Sequence, residues 1–372
     1  MDISKIDKNF TVQSKIDQDN IVWFDAAKEP ISMYGCLKSA LSSEDGEKFV
    51  RIPREIAAQT NEPVSRLYRY TSGMRAAFVT DSEYVAFNCK WDIAIKGHYQ
   101  TVLSTCGFDM YVRAEGKLRY VASFPPPKDF ENGYEAVYHF ESRQKREILI
   151  NFPLYNPVNE IYFGFEEGSE VKSFNPYKNE NPVVFYGSSI TQGGCSSRPG
   201  TCYPALLSRT LDIDFINLGF SDGARGEDVM AEYISGLDMC ALIYDYDHNA
   251  PTEDIFEQTH YPFYKKIRDT HPDIPIICIS RPCPVHSYGA PLGENWDFEK
   301  RKSIILNTYK KAKDAGDENI YFLDGGTFFE GEGADGCTVD GLHPNDLGFF
   351  RMAQVIAPVL AKSLGITNQS IY

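Results

Sequence analysis

The sequence predicts two domains of different class. Residues 1–175 read as an all-β sandwich, and residues 176–372 as an α/β domain with three layers around a five-stranded parallel sheet. Three observations carry this. Up to about Phe165, runs rich in Val, Tyr and Phe alternate with period 2 between turns. After Pro182, apolar strands alternate with helical patterns, the signature of a parallel sheet covered on both faces. Between them, Glu166 to Pro182 is polar, contains Gly, Asn and two prolines, and has no sustained period, so it reads as the linker.

In the first half the strands begin with Ile21 to Phe24 and Ile31 to Leu37. Arg75 to Thr80 and Tyr84 to Trp91 flank the break Asp81-Ser82-Glu83 and predict a hairpin. Phe108 to Arg113 and Leu118 to Phe124 flank Ala114 to Lys117 in the same way. Glu135 to Phe140, Glu147 to Phe152 and Glu160 to Phe165 complete a set with turns roughly every 8–15 residues, as in a sandwich. Pro125 to Pro127 stop one strand, because proline cannot donate to a ladder. The alternating aromatics read as sandwich core, and His98 and His139 as ordinary half-buried residues.

In the second half Val183 to Tyr186 is the first strand, stopping at the small residues Gly187-Ser188-Ser189. Thr201 to Leu211 is helical, with Pro204 tolerated in the first turn. Asp214 to Leu218 is a strand, Gly226 to Leu237 a helix, Cys240 to Tyr246 a strand, and Glu253 to Arg268 a helix. Pro275 to Ser280 follows as a strand and Phe298 to Ala315 as a basic-faced helix. Ile320 to Leu323 is the fifth strand, and Asn345 to Leu364 the last helix.

Composition narrows the function. The 372 residues hold 42% apolar and 24% charged residues, as a globular chain with an ample core does. A net charge of −15 disfavours nucleic acid and anionic membrane surfaces, which repel an acidic protein. No apolar run approaches the ~20 residues of a membrane helix, and Met1 to Asp17 has neither an apolar signal core nor a cleavage site. The nine cysteines are scattered, form no CxxC pair, and several sit in apolar strand patterns. A reducing, cytoplasmic setting is therefore expected, with no metal and no cofactor. Self-association into a homo-oligomer is compatible with this composition.

Parallel strands deliver their carboxyl ends to one crevice. Those ends carry Ser189, then Asn217 to Ser221, then Asp245 to Asn249, and after the fifth strand Asp340-Gly341-Leu342-His343. Ester cleavage by a serine needs a hydroxyl, a base, a carboxylate to orient the base, and donors for the oxyanion. Ser189 supplies the nucleophile and His343 the base. Asp340, three residues earlier, can hold the other imidazole nitrogen. The Ser189 and Gly219 N–H groups and the Asn249 amide are the candidate oxyanion donors.

These blocks resemble the SGNH, or GDSL-like, hydrolase superfamily over residues 180–372, with Ser189, Gly219, Asn249 and His343 in the order of its Ser, Gly, Asn and His blocks. The resemblance implies a flavodoxin-like α/β domain. The first half resembles the jelly-roll-like sandwich that precedes such domains in one subgroup, with Gly107-Phe-Asp-Met-Tyr111 at its GxDLY-type motif. Related two-domain groups include carbohydrate acetyl esterases, so the implied substrate is a small acylated molecule, an acetylated oligosaccharide above all. Two blocks depart from the pattern. The GDS triplet reads Gly187-Ser188-Ser189, and the GxND block reads Asp247-His248-Asn249-Ala250. Both changes alter the floor of the pocket and bear on substrate class.

Competing readings remain. Gly219-Phe220-Ser221-Asp222-Gly223 fits the GxSxG elbow of α/β-hydrolases, which makes Ser221 a second candidate nucleophile, although that fold places several strands before its elbow. His248 either lines the pocket or packs beside it. Arg281 contacts substrate or, as the blander reading, forms a surface ion pair, and His260, His271 and His286 read as structural. The same triad also serves an acyltransferase with an alcohol acceptor, and a catalytically silent glycan-binding protein is the third class.

Overall fold

The computed structural model describes residues 5–7, 11–12, 15–43, 47–282 and 297–366. The chain forms two compact units. One comprises 1–51, 69–176 and 197–200, and the other 52–68, 177–196 and 201–372. A single cut at 175/176 therefore omits two excursions of the chain.

The first part of the chain runs β1 (Ile21–Asp25), β2 (Ser32–Tyr34), α1 (Arg54–Thr60), α2 (Glu62–Leu67), β3 (Arg75–Thr80) and β4 (Tyr84–Lys90). It continues through α3 (Val102–Cys106), β5 (Phe108–Ala114), β6 (Lys117–Phe124), β7 (Gly133–His139), β8 (Arg146–Asn151), β9 (Glu160–Glu166) and β10 (Val171–Ser173). The strands of the first unit make two antiparallel sheets, ordered β1-β9-β4-β7 and β10-β3-β8-β5-β6, with β2 on β3. Their facing sides bury Phe78, Phe87, Phe108, Phe152, Phe163 and Phe165 in one core. Edge-to-face pairs such as Phe78–Phe165, with centroids 5.0 Å apart, add about 0.5–1.5 kcal/mol each beyond the area they bury. The aromatic alternation is thus core, as expected. His98 and His139, however, are exposed rather than half-buried, because each lies on the solvent side of its segment.

The motif aspartate Asp109 is a buried carboxylate inside this sandwich. It lies opposite Asn151 in the β5–β8 register and accepts from that amide at 2.7 Å. Its other oxygen accepts from Arg198 Nη1 at 2.7 Å and from the Gly200 N–H at 2.8 Å. One buried acid thus fixes the loop 197–200.

The second unit holds β11 (Asn179–Gly187), α4 (Ser189–Gln192), α5 (Tyr203–Leu211), β12 (Ile213–Gly219), α6 (Asp228–Ser235), β13 (Ala241–Asp245) and α7 (Glu253–Thr270). It ends with β14 (Ile276–Ile279), α8 (Phe298–Asp314), β15 (Ile320–Leu323) and α9 (Asp346–Ser363). All five strands are parallel, in the order β12-β11-β13-β14-β15. Gly187 pairs with Gly219 on one side and Asp245 on the other, so three strand ends lie level.

Two expectations need correction. Glu166 to Pro182 is not an unstructured linker: β10 and the start of β11 lie in it, where backbone pairing with β3 and β12 overrides a polar sequence. Arg54 to Leu67, within the half expected to be all-β, is helical and belongs to the second unit. Asn61 caps α2 through the Val64 N–H and donates to Gly223 O at 2.8 Å, which ties the pair to the β12–α6 connection. Among the described residues no helix is long and apolar enough to cross a membrane.

Asp109→Ala should cost about 2–4 kcal/mol, because it leaves the buried Gly200 N–H and the Asn151 amide without their acceptor and takes one partner from the half-buried Arg198. Chemical denaturation checks this, and wild-type stability in the variant would contradict the assigned role.

Candidate active site

Ser189 follows β11 directly. Ser188 caps the short helix α4 by accepting from the Ile190 N–H, which leaves Ser189 as the first helical residue. The turn fits closely against the sheet because Gly187 has no side chain. A Cβ there would lie 1.9 Å from Asp245 Oδ1 and 2.1 Å from Thr191 Oγ1.

Ser189 Oγ lies 2.9 Å from His343 Nε2. The other imidazole nitrogen, Nδ1, is 2.7 Å from Asp340 Oδ2. With Nδ1–H donating to the carboxylate, Nε2 is left to accept the serine proton. The loop fixes this geometry locally. Asp340 Oδ1 also accepts the N–H groups of Leu342 at 2.9 Å and His343 at 2.7 Å, and Gly341 takes the left-handed φ of +83° that the tight turn requires. Burial works against ionisation of Asp340, but the His343 N–H, the imidazole and the Leu342 N–H outweigh it and hold the carboxyl below its ordinary range. Asn345 then caps α9 through the N–H groups of Leu347 and Gly348, setting the far end of the loop.

Asn249 also stands at this crevice, after β13. One amide hydrogen goes to Phe220 O at 2.9 Å, and the second has no acceptor among the described residues. Gly219 does not fit the part expected of it. Its N–H is given to Asn217 Oδ1 at 2.8 Å. Its missing side chain serves packing instead, since a Cβ would come within 2.2 Å of the Gln192 nitrogen. In the turn that follows, Phe220, Ser221, Gly223 and Ala224 all donate to acceptors. The Asp222 N–H has no acceptor among the described residues, and Asp222 has the left-handed φ of +58°. Asp222, three residues on, thus has a backbone N–H to spare where Gly219 does not. The hydroxyl of Ser221 makes no hydrogen bond to an imidazole among the described residues, in contrast to Ser189.

Several side chains behave differently from their sequence reading. Arg281 is buried, not a surface ion pair: its N–H donates to Asp247 Oδ2 at 3.0 Å, and its guanidinium lies over the Phe298 ring at 4.2 Å. His260 and His271 are structural, bonded to Thr308 Oγ1 at 2.7 Å and Ser235 O at 2.8 Å. Burial pushes His260 down to about 3, so its ring stays neutral. His286 lies outside the described residues.

Arg301 was missed. It is 1% exposed and donates to the carbonyls of Asp247 and Ala250, the latter at 2.9 Å, while Nε meets Glu253 at 2.9 Å. It therefore brackets the loop that carries Asn249. In sequence it hides in the basic run Lys300-Arg301-Lys302. Its helical phase with the buried Ile304, Ile305, Thr308 and Ala312 is the signal that separates it from its neighbours.

The sequence does not separate Asp245 from the other polar residues at the end of β13. Asp245 is buried and accepts from the hydroxyls of Thr191 and Tyr203, the latter at 3.2 Å. Burial, and secondarily the charge of Asp247, push it up to about 8 against the two hydroxyl bonds. Unfolded, such a carboxyl titrates near ~3.9. Between those values the unfolded chain gives up a proton that the folded one keeps, so stability falls as pH rises from about 4 to about 8.

Residues 180–361 match the GDSL-like Lipase/Acylhydrolase family, and residues 21–171 match the GxDLY family, the N-terminus of SGNH-hydrolase-type esterases. No curated protein sequence matches the chain. A GDSL-like lipase structure from Bacteroides ovatus ATCC 8483 shares 28% identity with a TM-score of 0.83, covering 94% of this chain and 100% of its own. The salicylyl-acyltransferase SsfX3, from a tetracycline biosynthetic pathway, shares the fold at a TM-score of 0.75 and 18% identity, over 95% of this chain and 99% of its own. The acetyl xylan esterase Est2A from Butyrivibrio proteoclasticus does so at 0.55 and 13%, over 93% and 100%.

Asp245→Asn should flatten the stability profile between about pH 4 and pH 8. Thermal melts of both proteins across that range test it. Parallel profiles would show that Asp245 does not keep its proton.

Proposed function

Because the chain belongs to the GDSL-like lipase/acylhydrolase family of carboxylic ester hydrolases, we propose that it is a serine esterase. It removes small acyl groups, acetyl above all, from carbohydrate hydroxyls. One observation carries the mechanism: the continuous hydrogen-bonded line from Ser189 Oγ through the His343 ring to Asp340. His343 Nε2 takes the proton as Ser189 attacks the ester carbonyl, and the Asp340 carboxylate stabilises the imidazolium that forms. The oxyanion is held by the Ser189 and Asp222 N–H groups and by the second hydrogen of the Asn249 amide. His343 then protonates the departing alcohol. Water, activated by the same imidazole, releases the acid from the acyl-enzyme.

The carbohydrate part of the reading is supported by the fold shared with the acetyl xylan esterase, which makes an acetylated sugar the first substrate to try. The eight described cysteines are free thiols, which supports a reducing, cytoplasmic setting. A second reading draws on the fold shared with the salicylyl-acyltransferase: the same acyl-enzyme resolved by an alcohol instead of water. Product analysis with and without added acceptor alcohols separates the two. The hydrogen-bonded relay argues against a silent glycan-binding protein.

Acetate release from acetylated xylo-oligosaccharides and from p-nitrophenyl acetate is the direct test of the esterase reading. Ser189→Ala should abolish both activities, and full activity in that variant would refute the mechanism. Asn249→Ala should lower kcat about a hundredfold or more, the typical effect of removing one oxyanion donor. A near-normal kcat would remove Asn249 from the oxyanion site.

A further inference from the structure

The loop after β13 is tied to its surroundings at several points. Arg301 holds the carbonyls of Asp247 and Ala250. Asn249 gives its backbone N–H to Tyr246 O at 3.0 Å and an amide hydrogen to Phe220 O. Asp247 takes the Arg281 N–H. Two side chains in the middle of this loop are less well satisfied: Asp247 keeps one buried oxygen, Oδ1, without a partner among the described residues, and His248 has none at either ring nitrogen. His248 is half-buried overall, but both ring nitrogens are buried.

A buried imidazole with neither nitrogen bonded is costly to keep, and such groups in a folded chain ask for an explanation. The charged and titratable groups around it are Arg281 beyond β14, Arg301 on α8, His343 on the relay loop, and the neighbouring Asp247 carboxyl, which takes the His248 backbone N–H. Burial above all, and then Arg281, His343 and Arg301, hold the ring well below the ordinary histidine range, so it is neutral. It therefore presents one N–H donor and one acceptor lone pair. It is not a second general base, because no carboxylate orients it and Ser189 is bonded to His343. It does stand one residue before Asn249, at the sheet end that also carries the relay, and close enough to His343 to feel its charge.

We propose that His248, whose ring nitrogens are shielded in the free protein and turn towards the site when substrate binds, is a specificity-determining residue that hydrogen-bonds the alcohol part of the ester, at a free hydroxyl next to the acylated oxygen of a polyhydroxy substrate. The inference rests on the esterase reading above. The other polar atoms of such a substrate have partners already: the carbonyl oxygen faces the oxyanion donors, and the leaving oxygen takes its proton from His343. An acetyl methyl offers no hydrogen bond. A sugar hydroxyl donates and accepts, matching what a neutral imidazole provides.

The test compares two esters: a monoacetylated methyl xyloside, which has free hydroxyls, and p-nitrophenyl acetate, whose alcohol part has none. His248→Phe, which keeps a ring but loses both nitrogens, should lower kcat/KM on the xyloside about tenfold, mainly through KM. It should leave p-nitrophenyl acetate within about threefold. His248→Gln, with one donor and one acceptor, should recover part of the loss. Equal losses on both esters in a folded His248→Phe variant would mark a structural role and overturn the proposal. So would no loss on either, or a wild-type enzyme indifferent to O-methylation of the xyloside's free hydroxyls. Failure of the esterase reading looks different: the wild type then cleaves neither ester and takes no fluorophosphonate label, and the proposal falls with it.

Discussion

The site depends on a close approach that two missing side chains permit. At Gly187 and at Gly219 the nucleophile turn and helix α4 occupy the space a Cβ would fill, with Asp245, Thr191 and the Gln192 backbone in van der Waals conflict with any larger residue. Level strand ends at β12, β11 and β13 make that approach possible. With the turn seated this way, Ser189 faces the His343 loop and Asn249 faces the turn after β12. The triplet Gly187-Ser188-Ser189 lacks the aspartate of the family pattern. A carboxyl from the neighbouring strand, Asp245, lies over Gly187 and bonds the hydroxyls of Thr191 and Tyr203.

Charge is handled in two ways around this turn. Asp340 is partly exposed and receives three N–H donors, so it stays ionised and can stabilise an imidazolium. Asp245 is buried with hydroxyl partners and is driven towards its neutral form. Two carboxyls near one serine are thereby separated by environment into a charged partner for histidine and an uncharged packing group. The nearby guanidinium of Arg301 acts on geometry, since its hydrogen bonds run to the two carbonyls that bracket Asn249.

Much of this was legible in the sequence because the relevant signals are local. Ser189 sits where an apolar strand meets small residues, and Asp340 and His343 share one short loop, so spacing alone suggests that they can touch. The alternating pattern after Pro182 likewise announced a parallel sheet. What could not be read depends on hydrogen bonds between distant segments. A sequence shows that residue 219 is glycine but not that Asn217 takes its N–H. Arg281 and Arg301 look like surface cations until the loop 247–250 folds against them. The helices at 54–67 sit in a β-rich stretch, and their partner at Gly223 lies far along the chain.

The central claim is that Ser189 is the nucleophile and forms a covalent acyl intermediate. Mapping the site of a fluorophosphonate adduct by peptide mass spectrometry tests it most directly. A single adduct is expected on the peptide containing Ser189, lost when His343 is replaced by alanine. An adduct on Ser221, or labelling of Ser189 that is indifferent to His343, would contradict it.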